Sequence, residues 1–223
     1  MFTQSTMPRL TQVQADTLSS LPGRVVEVRP KGSFREPFAL RDEVLLVITG
    51  LLSLFRICGS GRRQIVALRY PNEGIIPPEL PAAFGVQAII PSKVFVVSLA
   101  DFEDRIGLRP EFQEAIRQRS ERHMAISYEW LVNNSQNDAI GRIAHLLCET
   151  AYRASAGLRA SSVLSPFTQS QMADITGQTA VNVNRVLGEL EAEGLIRRDG
   201  RVIKFLDWAG LQRVGSFSPD YLQ

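Results

Sequence analysis

The stretch that most constrains this 223-residue chain runs over residues 168–205. It opens Thr168-Gln169-Ser170-Gln171, and a Thr three residues ahead of a Gln satisfies two orphan amides reciprocally at a helix start. A short helix should follow, with Met172, Ala173 and Ile175 as its apolar face. Gly177 closes it, because glycine takes the left-handed conformation without a side-chain clash. A second helix starts near Thr179. Within it Val183, Val186, Leu187 and Leu190 fall at i, i+3, i+4 and i+7, one buried stripe. The opposite face carries Val181 and Arg185, with Asn182 and Asn184 on its flanks. Two short helices around a tight glycine turn, the second exposing small, amide and arginine side chains, have the layout of a helix-turn-helix.

The following residues extend this pattern. Leu195-Ile196-Arg197-Arg198, then Asp199-Gly200, then Arg201-Val202-Ile203-Lys204-Phe205 is two strand-like runs around a strong hairpin signal. A hairpin at this place makes the unit a winged helix, with Arg197, Arg198, Arg201 and Lys204 in position to meet phosphates. The alternative is an ordinary helical corner whose cations are a solvated face.

In these residues the chain resembles the CRP/FNR family of transcription factors, that of the cAMP receptor protein and the fumarate-nitrate reductase regulator. The resemblance runs through Leu164-Ser165-Pro166-Phe167-Thr168-Gln169, Ala173-Asp174, Gly177, Val183-Asn184-Arg185-Val186-Leu187, Leu190-Glu191-Ala192-Glu193-Gly194-Leu195-Ile196 and Leu206-Asp207-Trp208. It extends from about Leu10 onward and is most specific in the C-terminal third. It implies an α+β chain with an N-terminal antiparallel β jelly roll of the cyclic-nucleotide-binding type, a long dimerisation helix and a C-terminal winged helix-turn-helix. The corresponding divisions are 1–108, 109–134 and 135–223.

Length allows two modest domains, each with its own core. A net charge of +2 says nothing for nucleic acid. From Val163 onward the basic residues are Arg185, Arg197, Arg198, Arg201, Lys204 and Arg213, and seven acidic residues offset them. The case for DNA therefore rests on where the cations sit. Cys58 and Cys148 are far apart and in no metal-ligand spacing, so neither a disulfide framework nor a zinc site is indicated, and buried reduced thiols are expected. No signal-like start and no apolar run of ~20 residues is present, which points to a cytoplasmic protein without a membrane partner.

The N-terminal half reads as a short helix over 11–21 and then close-spaced strands: 24–28, 43–48 with Thr49-Gly50 as a turn, 51–57, 64–68, 86–90 and 93–99. Gly59-Ser60-Gly61 separates two of them as a hairpin loop. Many short strands with Gly and Pro punctuation argue for an antiparallel roll or barrel. The ligand segment departs from the family pattern. Cyclic-nucleotide binders of the family carry a Gly-Glu for the ribose and, about ten residues on, an Arg for the cyclic phosphate. Here residues 74–87 read GIIPPELPAAFGVQ, with Glu79 the stand-in for the carboxylate and no Arg between Tyr70 and Asp104. A partly buried phosphate without a cation carries a desolvation cost of several kcal/mol, so cAMP binding is not expected. The cysteines an iron–sulfur cluster needs are missing, and His123 and His145 fall in helices rather than in the barrel. No cofactor is expected.

After Pro110 a long helix should run through Val132, with Phe112, Ile116, Ile126 and Trp130 at three- and four-residue steps. Adding Arg119 and His123 completes a heptad-like seam. The family resemblance makes this helix a two-fold dimer axis; the alternative is that the seam packs only against the chain's own barrel. Residues 133–137, Asn-Asn-Ser-Gln-Asn, should end the helix and act as a hinge, with a further helix over 138–153 and a loop over 154–162.

The leading functional expectation is a homodimeric, sequence-specific regulator of transcription and not an enzyme, bound to double-stranded, roughly palindromic DNA with RNA polymerase as the partner the resemblance implies. Two second helices would occupy successive major grooves ~34 Å apart. Thr168, Gln169, Ser170 and Thr179 are placed to hold phosphates, Arg185 to take a guanine, Asn182 and Asn184 to read adenine or hold phosphate, and Arg198 and Arg201 to add wing contacts. Val181 stands where many family members have a Glu, and it offers a thymine methyl contact in place of a cytosine amino contact. The competing reading is an effector-sensing or protein-interaction module whose winged helix docks on protein.

Overall fold

A computed structural model of the chain describes residues 20–30, 32–40, 42–77, 80–107, 109–155 and 161–223. The expected helix over 11–21 lies outside them apart from its last two residues, as does Glu79. The described residues fall into two compact units. One comprises those up to Ile57 and from Ala67 to Met124; the other comprises Cys58–Val66 and Ala125–Gln223.

The first unit is built on a bent antiparallel sheet. Its strands are β1 (Arg24–Val28), β2 (Ser33–Arg35), β3 (Glu43–Ile57), β4 (Arg63–Arg69, of which residues 67–69 belong to this unit), β5 (Gly74–Ile75) and β6 (Gly85–Ser98), with main order β1-β6-β3-β4. Two expected breaks are absent. Thr49-Gly50 is not a turn: β3 runs through it, and the pairing with β6 slips between Val47 and Thr49 and again between Thr49 and Leu51. Gly50 has φ +96°, and a Cβ there would lie 2.2 Å from Ser92 Oγ, which instead accepts from the Leu51 amide at 3.0 Å. The dipeptide marks a bulge that bends a long strand. Likewise β6 continues through Pro91, which lies in the same irregular stretch, where a missing N–H interrupts little of the ladder.

Both faces of β3 and β6 are covered along much of their length: Leu45, Leu51, Leu52, Val86, Val94 and Val96 are all buried. A second cluster joins Leu21, Val44, Val97, Phe102, Ile106 and Phe112, with Ile116 packed against it. It is completed by helix α1 (Leu99–Phe102), capped by Ser98 Oγ and continued as a π-turn over Glu103–Gly107.

Helix α2 spans Pro110–Gln136, longer than expected, because the polar run does not stop it. Asn133 is buried and its Oδ1 accepts from Asn137 Nδ2 at 2.8 Å, so the amides support the last turn rather than breaking it. The break falls at Asp138, whose Oδ1 accepts from the Gly141 amide at 2.8 Å and caps α3 (Ala139–Ala154).

The second unit adds β7 (Ser162–Leu164), α4 (Gln169–Thr176), α5 (Ala180–Ala192), β8 (Ile196–Asp199), β9 (Val202–Phe205), α6 (Trp208–Val214) and a 3-10 turn over Pro219–Leu222. Strands β7, β9 and β8 form one antiparallel sheet. Strand β7 begins at Ser162, the last residue of the loop expected over 154–162. Asp199 pairs with Val202, so the hairpin loop is Gly200-Arg201, one residue later than expected. Ile143, Leu147, Leu190, Ile196 and Leu211 are fully buried and form the core. Beside it lies a buried carboxylate. Glu149 accepts from Trp130 Nε1 at 2.8 Å, Tyr221 OH at 2.9 Å and Arg153 Nη1 at 3.0 Å. Burial and this carboxylate push the Tyr221 hydroxyl far above its ordinary range.

Candidate nucleic-acid interface

The helical corner forms as its sequence dictates. Thr168 Oγ1 accepts from the Gln171 amide at 3.2 Å while Gln171 Oε1 accepts from the Thr168 amide at 2.8 Å, a complete capping box. Gly177 ends α4 at φ +68°, and Thr179 Oγ1 caps α5 by accepting from the Asn182 amide at 3.2 Å. Val183, Val186, Leu187 and Leu190 are buried as expected. At about 1.5–3 kcal/mol for each such side chain, this stripe fixes which way α5 faces.

The outward face carries Val181, 82% exposed, with Asn184 and Arg185 exposed and Asn182 half-buried beside them. Thr168, Gln169, Ser170 and Thr179 are exposed on the same corner, and Gln169 Nε2 donates to Asn184 Oδ1 at 2.9 Å, linking the two helices.

Internal pairing, which the sequence did not show, occupies much of this polar surface. Arg185 donates from Nε and Nη2 to Asn182 Oδ1, at 3.2 and 2.9 Å, and from Nη1 to Glu189. Arg198 is held by Glu191, which accepts from its backbone amide and from Nε, both at 2.7 Å. That pairing keeps the Glu191 carboxyl below the usual carboxylate range. Arg201 donates from Nη2 to the carbonyls of Ser165 at 3.0 Å and Pro166 at 2.7 Å. Arg197 is exposed on β8, and Lys204 lies 3.7 Å from Asp199.

Four further residues escaped the sequence reading. Glu189 and Glu191 were visible as i,i+4 and hairpin neighbours of arginines. Arg62 and Gln64, by contrast, reach the corner only through the fold. Arg62 Nη2 donates to Gln178 O at 2.8 Å and Gln64 Nε2 to Ile175 O at 3.1 Å, occupying carbonyls at the glycine turn.

The seam expected on α2 turns inward. Phe112, Arg119, His123, Ile126 and Trp130 are buried within the single chain, and Ile116 is partly buried against the first unit's core. The exposed apolar residues of the helix are Met124, Tyr128, Leu131 and Val132.

Residues 141–214 match the model of the Crp-like helix-turn-helix domain. The C-terminal third of the chain thus carries a Crp-like helix-turn-helix domain, and the chain is similar to regulators of the CRP/FNR type. It is 28% identical over 166 residues to the transcriptional activator protein FnrL of Cereibacter sphaeroides, covering 72% of this chain and 67% of that protein. It is 26% identical to the nitrogen fixation regulation protein FixK of Rhizobium meliloti, covering 83% of this chain and 84% of the relative. The fold is shared with the solved structure of FixK2 from Bradyrhizobium japonicum, with TM-score 0.79 and 20% identity over 89% of this chain and all of that one. The matched domain and the regulators it resembles support DNA-binding regulation of transcription rather than enzymatic activity. Among the described residues, no helix is long and apolar enough to cross a membrane.

Proposed function

We propose that the chain is a CRP/FNR regulator and acts in the cytoplasm as a homodimer on a roughly palindromic operator, with α5 of each protomer in a major groove and the wing along the flanking backbone. The observation that carries this reading is the exposed face of Val181, Asn184 and Arg185, set on a helix whose opposite stripe is fully buried. Arg185 reads a base pair, Val181 meets a thymine methyl, and Thr168, Ser170 and Thr179 hold phosphates. The dimer axis is α2, and the exposed residues Met124, Tyr128 and Leu131, at i, i+4 and i+7, are the contact stripe. RNA polymerase is the further partner at promoters.

The β sheet unit works without cAMP. Calorimetry with cAMP and cGMP is the check on that part, and a micromolar or tighter dissociation constant for either would overturn it. Recovery of genomic DNA bound by the protein, followed by motif extraction, tests the whole. A two-fold symmetric motif is expected. Absence of any enriched motif, with binding that does not respond to salt, would place the winged helix on a protein partner instead.

A further inference from the structure

The polar side chains behind Arg185 form a directional chain. Gln178 is buried at the turn between α4 and α5, and its Nε2 donates to the backbone carbonyl of Ala139 at 3.1 Å. A carbonyl only accepts, so Gln178 Oε1 must face the other way. It accepts from Asn182 Nδ2 at 2.7 Å, which in turn fixes Asn182 Oδ1 toward Arg185. A guanidinium only donates, and Arg185 does so through Nε and Nη2 at 3.2 and 2.9 Å. With an obligate acceptor at one end and an obligate donor at the other, the two amides between them have a single consistent orientation.

We infer that Gln178 and Asn182 are positioning residues for base readout: together they orient the Arg185 guanidinium, and neither reads a base. The inference rests on the reading of α5 as a sequence-specific DNA contact. Its chemical content lies in the remaining donors. Of the five guanidinium N–H groups, Asn182 takes two and Glu189 one, which leaves one on each terminal nitrogen. Two N–H groups match a paired acceptor such as the O6 and N7 of guanine. Asn182 has its oxygen occupied by two donors, so it lacks the accessible donor and acceptor pair that adenine requires. Gln178 is withdrawn from the surface and influences the base pair only through Asn182.

The test is a specificity cycle on the full-length protein, with the operator recovered from genomic DNA and duplexes substituted at each base pair. Wild-type protein must first prefer the operator to a scrambled duplex; without that preference the DNA reading itself fails. The base pair whose discrimination disappears in Arg185→Ala is then the one Arg185 reads, and the wild type should discriminate there by about tenfold. Asn182→Ala and Gln178→Met should each lower that contrast to about threefold or less, and neither should add to the effect of Arg185→Ala. Asn182→Asp presents an acceptor in either rotamer, so it should retain most of the contrast while weakening every duplex through its charge. Adding Gln178→Met to Asn182→Asp should then leave the contrast unchanged. Should Gln178→Met fail to fold, the two substitutions at the half-buried Asn182 decide the matter. Loss of discrimination at a different base pair in Asn182→Ala, or full discrimination at the Arg185 base pair, would overturn the inference.

Discussion

Arg201 donates from Nη2 to the carbonyl oxygen of Pro166 at 2.7 Å, so the wing tip is anchored to the segment that leads into α4. Both bonds leave Nη2, which makes Arg201 first a structural anchor of the hairpin. Arg201→Ala should cost roughly 1 kcal/mol of stability by denaturant titration. It should weaken specific and scrambled duplexes alike, with little change in salt slope. Arg197→Ala, at an exposed position on the same hairpin, should leave stability unchanged and lower the slope by about 0.9. A reversed pattern would move the phosphate contact to Arg201.

Glu149 is the one acceptor shared by Trp130, Tyr221 and Arg153, all in the second unit. Glu149→Ala removes the acceptor of three donors, one of them the buried Arg153 guanidinium, and the expected loss is about 3–5 kcal/mol. Tyr221→Phe removes one donor and should cost about 1 kcal/mol. Urea unfolding followed by tryptophan fluorescence measures both. Equal losses in the two variants would mean that the charge pair is not what matters there.

The C-terminal corner was legible because its signals are local. A capping box, a left-handed glycine and a four-residue stripe are each written within one or two turns of chain, and Thr168, Gly177 and Val183 behave as read. The misread features depend on distant partners. Thr49-Gly50 looks the same as a turn or as a bulge until Ser92 is placed beside it, and the strand β7 is a strand only because Ile203 pairs with Val163. On α2 the spacing marked an apolar face, but spacing cannot say whether that face meets a second copy or the chain's own core. Nor could exposed arginines be told from paired ones, since Arg198 and Arg201 find their partners across the fold.

The two candidate dimer faces of α2 respond differently to charge. Leu131 is 67% exposed, so Leu131→Glu should fold normally, shift sedimentation at micromolar concentration toward monomer and weaken operator binding. Ile126 is buried in the single chain, and Ile126→Asp should instead lower thermal stability. Normal dimerisation by a folded Leu131→Glu protein would remove the Met124, Tyr128 and Leu131 stripe from the account.

The cysteines differ, although the sequence suggested two buried thiols. Cys58 is exposed, while Cys148 is buried and burial pushes its thiol far up. Alkylation of the native protein near neutral pH should modify one thiol per chain, at Cys58, and both after denaturation. Peptide mapping reads the outcome, and native modification of Cys148 would show that the second unit opens readily.

The central claim is that α5 reads sequence through Arg185. The most direct measurement is the affinity of wild type and Arg185→Ala for the recovered operator and for a scrambled duplex, at several salt concentrations. The account predicts a loss of roughly 1–3 kcal/mol per half-site on the operator and much less on the scrambled duplex. Equal weakening on both would make Arg185 a phosphate contact and contradict it.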